Sequence, residues 1–140
     1  MNKTLLIASI IICLLFWNGN CKIVELHYSI NIENNSPHDI SFYVAGLGME
    51  HLYPDTTLQT DSVPMQIIPS GKTRSWSNTI GWDNLFKQLP KDTLSIYLFS
   101  SDTLTKYRWN IIRKEYKILK RYDLSLSDLK KSNFGIHYSQ

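Results

Sequence analysis

Residues 23–32 alternate without a break. Val24, Leu26, Tyr28, Ile30 and Ile32 fall on one side, and Glu25, His27, Ser29 and Asn31 fall on the other. Successive side chains of an extended chain point to opposite faces, so this order specifies a strand with one face buried and one wet. The turn cluster Asn34-Asn35-Ser36-Pro37-His38-Asp39 follows, and Ile40, Phe42 and Val44 then restart an apolar face. Residues 23–32 and 40–45 therefore read as an antiparallel pair.

Short segments continue down the chain. Residues 46–64, with Gly46, Gly48, Pro54 and Pro64, read as a long loop. Met65 to Ile68 is a short strand, Pro69-Ser70-Gly71-Lys72 a turn, and Thr73 to Ser77 its return strand. Trp82, Leu85, Phe86 and Leu89 sit at i, i+3, i+4 and i+7, one stripe of a short helix stopped by Pro90. Leu94 to Phe99 is nearly all apolar and fits a central strand buried on both sides. Asp102 or Thr103 can cap a second helix. Around it Trp109, Ile112 and Tyr116 share one side, and Lys106, Arg113 and Lys117 another. Ile118 to Leu124 is a further strand, and Ser125-Leu126-Ser127-Asp128 resembles a capping box that opens a last short helix. Phe134, Ile136 and Tyr138 alternate again as a final strand.

The expected fold is α+β and β-rich: an antiparallel sandwich-like domain with two or three short helices. The alternative is one antiparallel sheet with helices on one face. The 140 residues suit a single domain, and 43% apolar content is too high for disorder.

The N-terminus precedes that domain. Lys3 is followed by Leu5 to Trp17, thirteen residues with only Ser9 clearly polar. As a helix this run spans about 20 Å, against roughly 30 Å of bilayer hydrocarbon. It has the length of a secretory signal core. Cys21, a few residues beyond, resembles the modification site of bacterial lipoproteins. That likeness implies a signal peptide over 1–20, a domain over 21–140, and lipid on Cys21 as the membrane anchor. Asn18 and Asn20 depart from the usual Leu-small-Gly/Ala-Cys box. Ordinary cleavage to a soluble exported chain and retention of 5–17 as an uncleaved anchor are the alternatives. Cys13 lies inside the signal, which leaves Cys21 as the one cysteine of the mature chain and no disulfide framework.

Motifs with chemistry are sparse. The four histidines, His27, His38, His51 and His137, lack local metal-ligand spacing, so no metal and no cofactor are expected. Gly46-Leu47-Gly48 lacks the third glycine and the helix start of a phosphate-binding turn. No Gly-x-Ser-x-Gly elbow is present. No catalytic residue is assigned.

Four of the eight aspartates open a triplet of Asp, then Ser or Thr, then an apolar residue or Thr: Asp55-Thr56-Thr57, Asp61-Ser62-Val63, Asp92-Thr93-Leu94 and Asp102-Thr103-Leu104. Each triplet is similar to an O-glycosylation signal of the Bacteroidota envelope, which would make Thr56, Ser62, Thr93 and Thr103 acceptors. The structural alternative is that Asp-Thr and Asp-Ser favour turns and helix caps by themselves.

Residues 106–121 carry Lys106, Arg108, Arg113, Lys114, Lys117, Lys120 and Arg121 against Glu115 alone. Behind a signal peptide, nucleic acid is not the expected partner. The readings are a solvated helix face or attraction to anionic lipid. The overall balance, 15 basic against 12 acidic residues, demands no polyanion.

Asp92 to Phe99, Asp102-Thr103-Leu104 with Tyr107 and Trp109, and Arg121-Tyr122-Asp123-Leu124-Ser125 together resemble small envelope lipoproteins of Bacteroidota gut bacteria. The likeness spans roughly residues 30–140. It implies an envelope location, outer-membrane-anchored or periplasmic, and carries no activity.

The expected function is a non-enzymatic structural or binding role in the cell envelope, with a glycan or an envelope protein as partner. The alternative is a small glycan-processing or other hydrolase that uses loop carboxylates of 46–64, Asp55 and Asp61, with His51. A third expectation is sugar stacking on Tyr53, Trp76 or Trp82.

Overall fold

The computed structural model describes residues 28–140. The signal segment, Cys21, His27 and the 23–27 part of the first expected strand lie outside the described residues.

Among the described residues seven strands form two sheets. In the first, β1 (Tyr28–Asn34) is central, between β4 (Thr73–Asn78) and β7 (Gly135–Tyr138). In the second, the order is β3 (Gln66–Ile68), β2 (Ile40–Ala45), β5 (Thr93–Ser100), β6 (Lys120–Ser125). All pairings are antiparallel except β1 with β7, which is parallel. The helices are α1 (Trp82–Gln88), α2 (Ser101–Lys106), α3 (Trp109–Glu115) and α4 (Leu126–Lys131), with a 3-10 turn at Pro90–Asp92. The β-rich α+β architecture is the one the sequence pattern specifies.

The strand pairing differs from the expected one. β1 and β2 are not a hairpin. They lie in opposite sheets, and so do β3 and β4. Both turns are arches that carry the chain across the sandwich. The physical reason is Asn34, which is fully buried. Its Nδ2 donates to the carbonyls of His38 (2.8 Å) and Ile68 (3.0 Å), and its Oδ1 accepts from the Ser36 N–H (3.1 Å) and Oγ–H (2.6 Å). Its backbone N–H donates to Lys72 O, and its carbonyl accepts from Gly71 N–H. One amide satisfies polar groups of both arches, which a buried crossing must do. Gly71 holds φ +67°, a left-handed conformation that suits glycine.

Between the sheets lies the larger core. Ile30, Ile32, Ile136 and Tyr138 of the first sheet meet Ile40, Phe42, Val44, Leu94, Ile96 and Leu98 of the second. Leu85 and Phe86 of α1, Leu89 just after it and Leu129 of α4 belong to the same core. The other face of the second sheet is covered as well. Tyr43, Ala45, Tyr97 and Phe99 pack under Leu58 and Ile112. β5 is thus buried on both sides, as its composition requires. The 46–64 stretch is not merely a surface loop, since Leu58 and Gln59 are buried and form part of this cover.

The basic segment is two helices rather than one. Ser100, not Asp102 or Thr103, caps α2, with its Oγ accepting from Thr103 N–H at 3.4 Å. The chain extends again at Tyr107 and Arg108 before α3 starts. Tyr116 takes a left-handed conformation (φ 49°) and ends α3. There Lys117 N–H returns to Ile112 O at 3.0 Å, a Schellman-type closure. Of the expected apolar side, Ile112 is buried and Trp109 half-buried, but Tyr116 is exposed. Further on, the capping box forms as read: Ser125 Oγ accepts from Asp128 N–H, and Asp128 Oδ2 accepts from Ser125 N–H.

Candidate functional site

A groove lies at the end of the sandwich where β1 finishes. It consists of two hollows. One, about 150 Å3, is lined by Ser36, His38, Asp39, Ile40, Ser100, Asp102, Leu119 and Gln140. The other, about 250 Å3, is lined by Ser100, Thr103, Tyr107, Lys117, Ile118 and Leu119. Ser100 and Leu119 belong to both, so the hollows abut.

The arches and caps position this groove. Asp39 Oδ1 accepts from Ser70 N–H at 3.0 Å, and its carbonyl accepts from Ser101 N–H at 3.2 Å. Ser41 and Ser101 join by their hydroxyls at 3.0 Å. The left-handed turn at Tyr116 brings Lys117 back over Tyr107, with Nζ 4.6 Å from the ring centroid. Lys106 Nζ lies 5.3 Å from the same centroid. Lys117 also pairs with Glu115 at 2.6 Å, which holds its ammonium above the ordinary lysine range.

A third hollow, about 260 Å3, is lined by Ser62, Val63, Met65, Leu104, Tyr107, Trp109 and Ile112. It lies between the long loop and the helices α2 and α3.

His51 and Asp55 come together as the hydrolase reading requires: Nδ1 to Oδ2 is 2.8 Å. Thr60 Oγ1 stands 3.5 Å from Nε2 of the same ring, and Glu50 Oε2 stands 3.8 Å from it. Asp55 Oδ1 accepts from Thr57 N–H at 2.8 Å. Hydrogen bonds from Thr57, then the His51 contact, hold the Asp55 carboxyl down at about 2. Asp61 is exposed in the same loop and makes no side-chain hydrogen bond among the described residues. The other described histidine outside the groove, His137, bonds Glu33 at 2.6 Å across the β1–β7 pair.

Of the stacking candidates, Trp76 and Trp82 are neighbours, and Tyr53 makes no ring pair with either among the described residues. Trp82 stacks on Phe134 (5.1 Å between centroids), meets Tyr28 edge-on at 6.0 Å, and lies 6.5 Å from Trp76. Both tryptophans are half-buried against the core. Tyr53, also half-buried, lies 6.0 Å from Lys91 Nζ. Of the candidate glycan acceptors, Thr56 and Ser62 are exposed in the loop. Thr93 and Thr103 are half-buried, at the start of β5 and inside α2. Thr93 Oγ1 donates to Lys91 O at 2.8 Å.

One polar row was not singled out from the sequence. Tyr43, Tyr97 and Arg121 are register partners on three neighbouring strands. The two phenol rings stack at 4.8 Å, and the Arg121 guanidinium carbon lies 5.2 Å from the Tyr97 centroid on its other side. Arg121 Nε donates to Asp123 at 2.7 Å, and Nη2 donates to Ser95 Oγ at 3.2 Å. Both tyrosine hydroxyls and Arg121 Nη1 are buried with no hydrogen-bond partner among the described residues. Burial pushes the Tyr97 hydroxyl up to about 12, and the Tyr43 hydroxyl further still. These phenols stay neutral.

Among the described residues no group of three His, Cys, Asp or Glu side chains could hold a metal ion. No described helix is long and apolar enough to cross a membrane. No protein-family model, no curated protein and no solved structure matches the chain.

Proposed function

We propose that this chain is an exported cell-envelope lipoprotein, tethered by lipid on Cys21, whose domain binds a small polar ligand without transforming it. The observation that supports this reading is the placement of the groove. Cys21 lies seven positions before Tyr28, where β1 begins. The groove residues Ser36, His38 and Asp39 come just after Asn34, where β1 ends. A strand of that length covers about 20 Å at roughly 3.3 Å per residue. Tyr28, the first described residue, and the groove thus lie at opposite ends of β1, which leaves room for a lipid tether on the side away from the groove. Metabolic labelling with an alkynyl fatty acid tests the anchor. Wild type takes up label and Cys21→Ala does not; equal labelling of both overturns the reading.

A second reading rests on the loop. Asp55, His51 and Thr60 follow the order of a hydrolase relay, with carboxylate, imidazole and hydroxyl in line. Chromogenic ester and glycoside substrates test it. Turnover by wild type that His51→Ala abolishes establishes this reading in place of binding.

A further inference from the structure

The groove carries opposite charges in separate compartments. Asp39 and Asp102 line the smaller hollow, and Lys117 lines the larger one with Thr103 and Tyr107. Asp39 is fixed by its bond from Ser70 N–H. Asp102 is exposed in the first turn of α2 and makes no side-chain hydrogen bond among the described residues. On the basic side, Lys117 Nζ lies 4.6 Å from the Tyr107 ring centroid and is paired with Glu115. Together the hollows reach the lower range of small-molecule sites, about 300–1,000 Å3.

A plain anion is attracted by Lys117 and repelled by the aspartates. A plain amine meets the reverse. A ligand with both charges gains on both sides, and specificity arises because each simpler competitor leaves one compartment unmatched. We propose that the groove binds a small zwitterion, its ammonium against Asp39 and Asp102 and its carboxylate or phosphate against Lys117. This names the ligand class for the binding role above and rests on that reading. The same chemistry has two sources, a short peptide or a phosphoethanolamine headgroup.

The full chain in maltoside micelles is the test material. Intact mass reports whether Cys21 is acylated, and calorimetric titration reports the groove. Four probes are titrated: glycylglycine, phosphoethanolamine, ethylamine and inorganic phosphate. At least one zwitterion is expected to bind about tenfold or more tighter than both single-charge probes, which is about 1.4 kcal/mol. The zwitterion that binds identifies the source. Asp102→Asn and Lys117→Met are each expected to weaken it about tenfold, with thermal midpoints unchanged. Phosphate or ethylamine binding as tightly as the better zwitterion overturns the proposal. So does the failure of both zwitterions to bind, or wild-type affinity in both variants. An unacylated chain that binds a zwitterion overturns the anchor alone, whereas an acylated chain that binds neither overturns the ligand class alone.

Discussion

The side-chain amide of Asn34 donates to the backbone carbonyl of Ile68 at 3.0 Å, joining two crossings of the sandwich that lie 34 residues apart in the chain. The same nitrogen donates to His38 O at 2.8 Å, and the amide oxygen accepts twice from Ser36. Asn34→Ala leaves these partners buried and unmatched, and is expected to cost about 3 kcal/mol or more. Asn34→Asp keeps the shape but turns two donors into acceptors that face carbonyls, so it is at least as damaging at neutral pH. Urea denaturation of both variants checks this. A loss below about 1 kcal/mol for Asn34→Ala contradicts the assigned role.

The Tyr97 hydroxyl is buried without a partner. Removing such a group relieves a desolvation cost, while its ring fills space between Tyr43 and Arg121. Tyr97→Phe is therefore expected to leave stability unchanged or raise it by up to about 1 kcal/mol. Tyr97→Ala deletes the ring from a filled core and is expected to cost about 3–5 kcal/mol. Paired denaturation curves give both values.

Ser125 and Asp128 cap each other at the start of α4. Ser125→Ala removes the acceptor for Asp128 N–H and is expected to cost about 1 kcal/mol. Hydrogen exchange should quicken first at the amides of the first turn of α4. Unchanged protection there contradicts the cap.

Asp55 is held at about 2, below its usual 3.8, first by Thr57 and then by His51. A carboxyl depressed in the folded state contributes stability above its unfolded value. That contribution is lost as pH falls from about 3.8 through about 2. Because the group is largely exposed, the effect on global stability is small. The direct measurement is carboxyl carbon NMR, which should place the midpoint near 2 in wild type. In Thr57→Val the midpoint should move upward. A wild-type midpoint at the ordinary value contradicts the hydrogen-bond geometry.

The segments of the fold were legible because each obeys a local rule. Ile30 and Ile32 alternate with polar neighbours, Leu85, Phe86 and Leu89 repeat at helical spacing, and Ser125 lies three residues before Asp128. The second helix, expected from a cap at Asp102 or Thr103, forms as two. Its apolar residues keep helical spacing, yet the break at Tyr107 and Arg108 follows from packing Leu104, Tyr107 and Trp109 over one sheet face.

The candidate site was legible only in fragments. His51 and Asp55 are four residues apart in one loop, and the structure does bring them together. The groove draws on residues 36–40, 100–103, 107, 117–119 and 140, so no window of sequence contains it.

By itself the sequence determined which residues are extended, which are helical and which sides are apolar, because alternation, stripe and cap are set by near neighbours. Whether Asn34 to Ile40 and Ile68 to Thr73 would turn back as hairpins or cross as arches was left to the tertiary structure. Both outcomes bury the same apolar faces, and the choice rests on where one buried amide finds its hydrogen bonds. The crossing of the two arches then sets Asp39 beside the end of β5, and the charged groove exists only as a consequence of that packing.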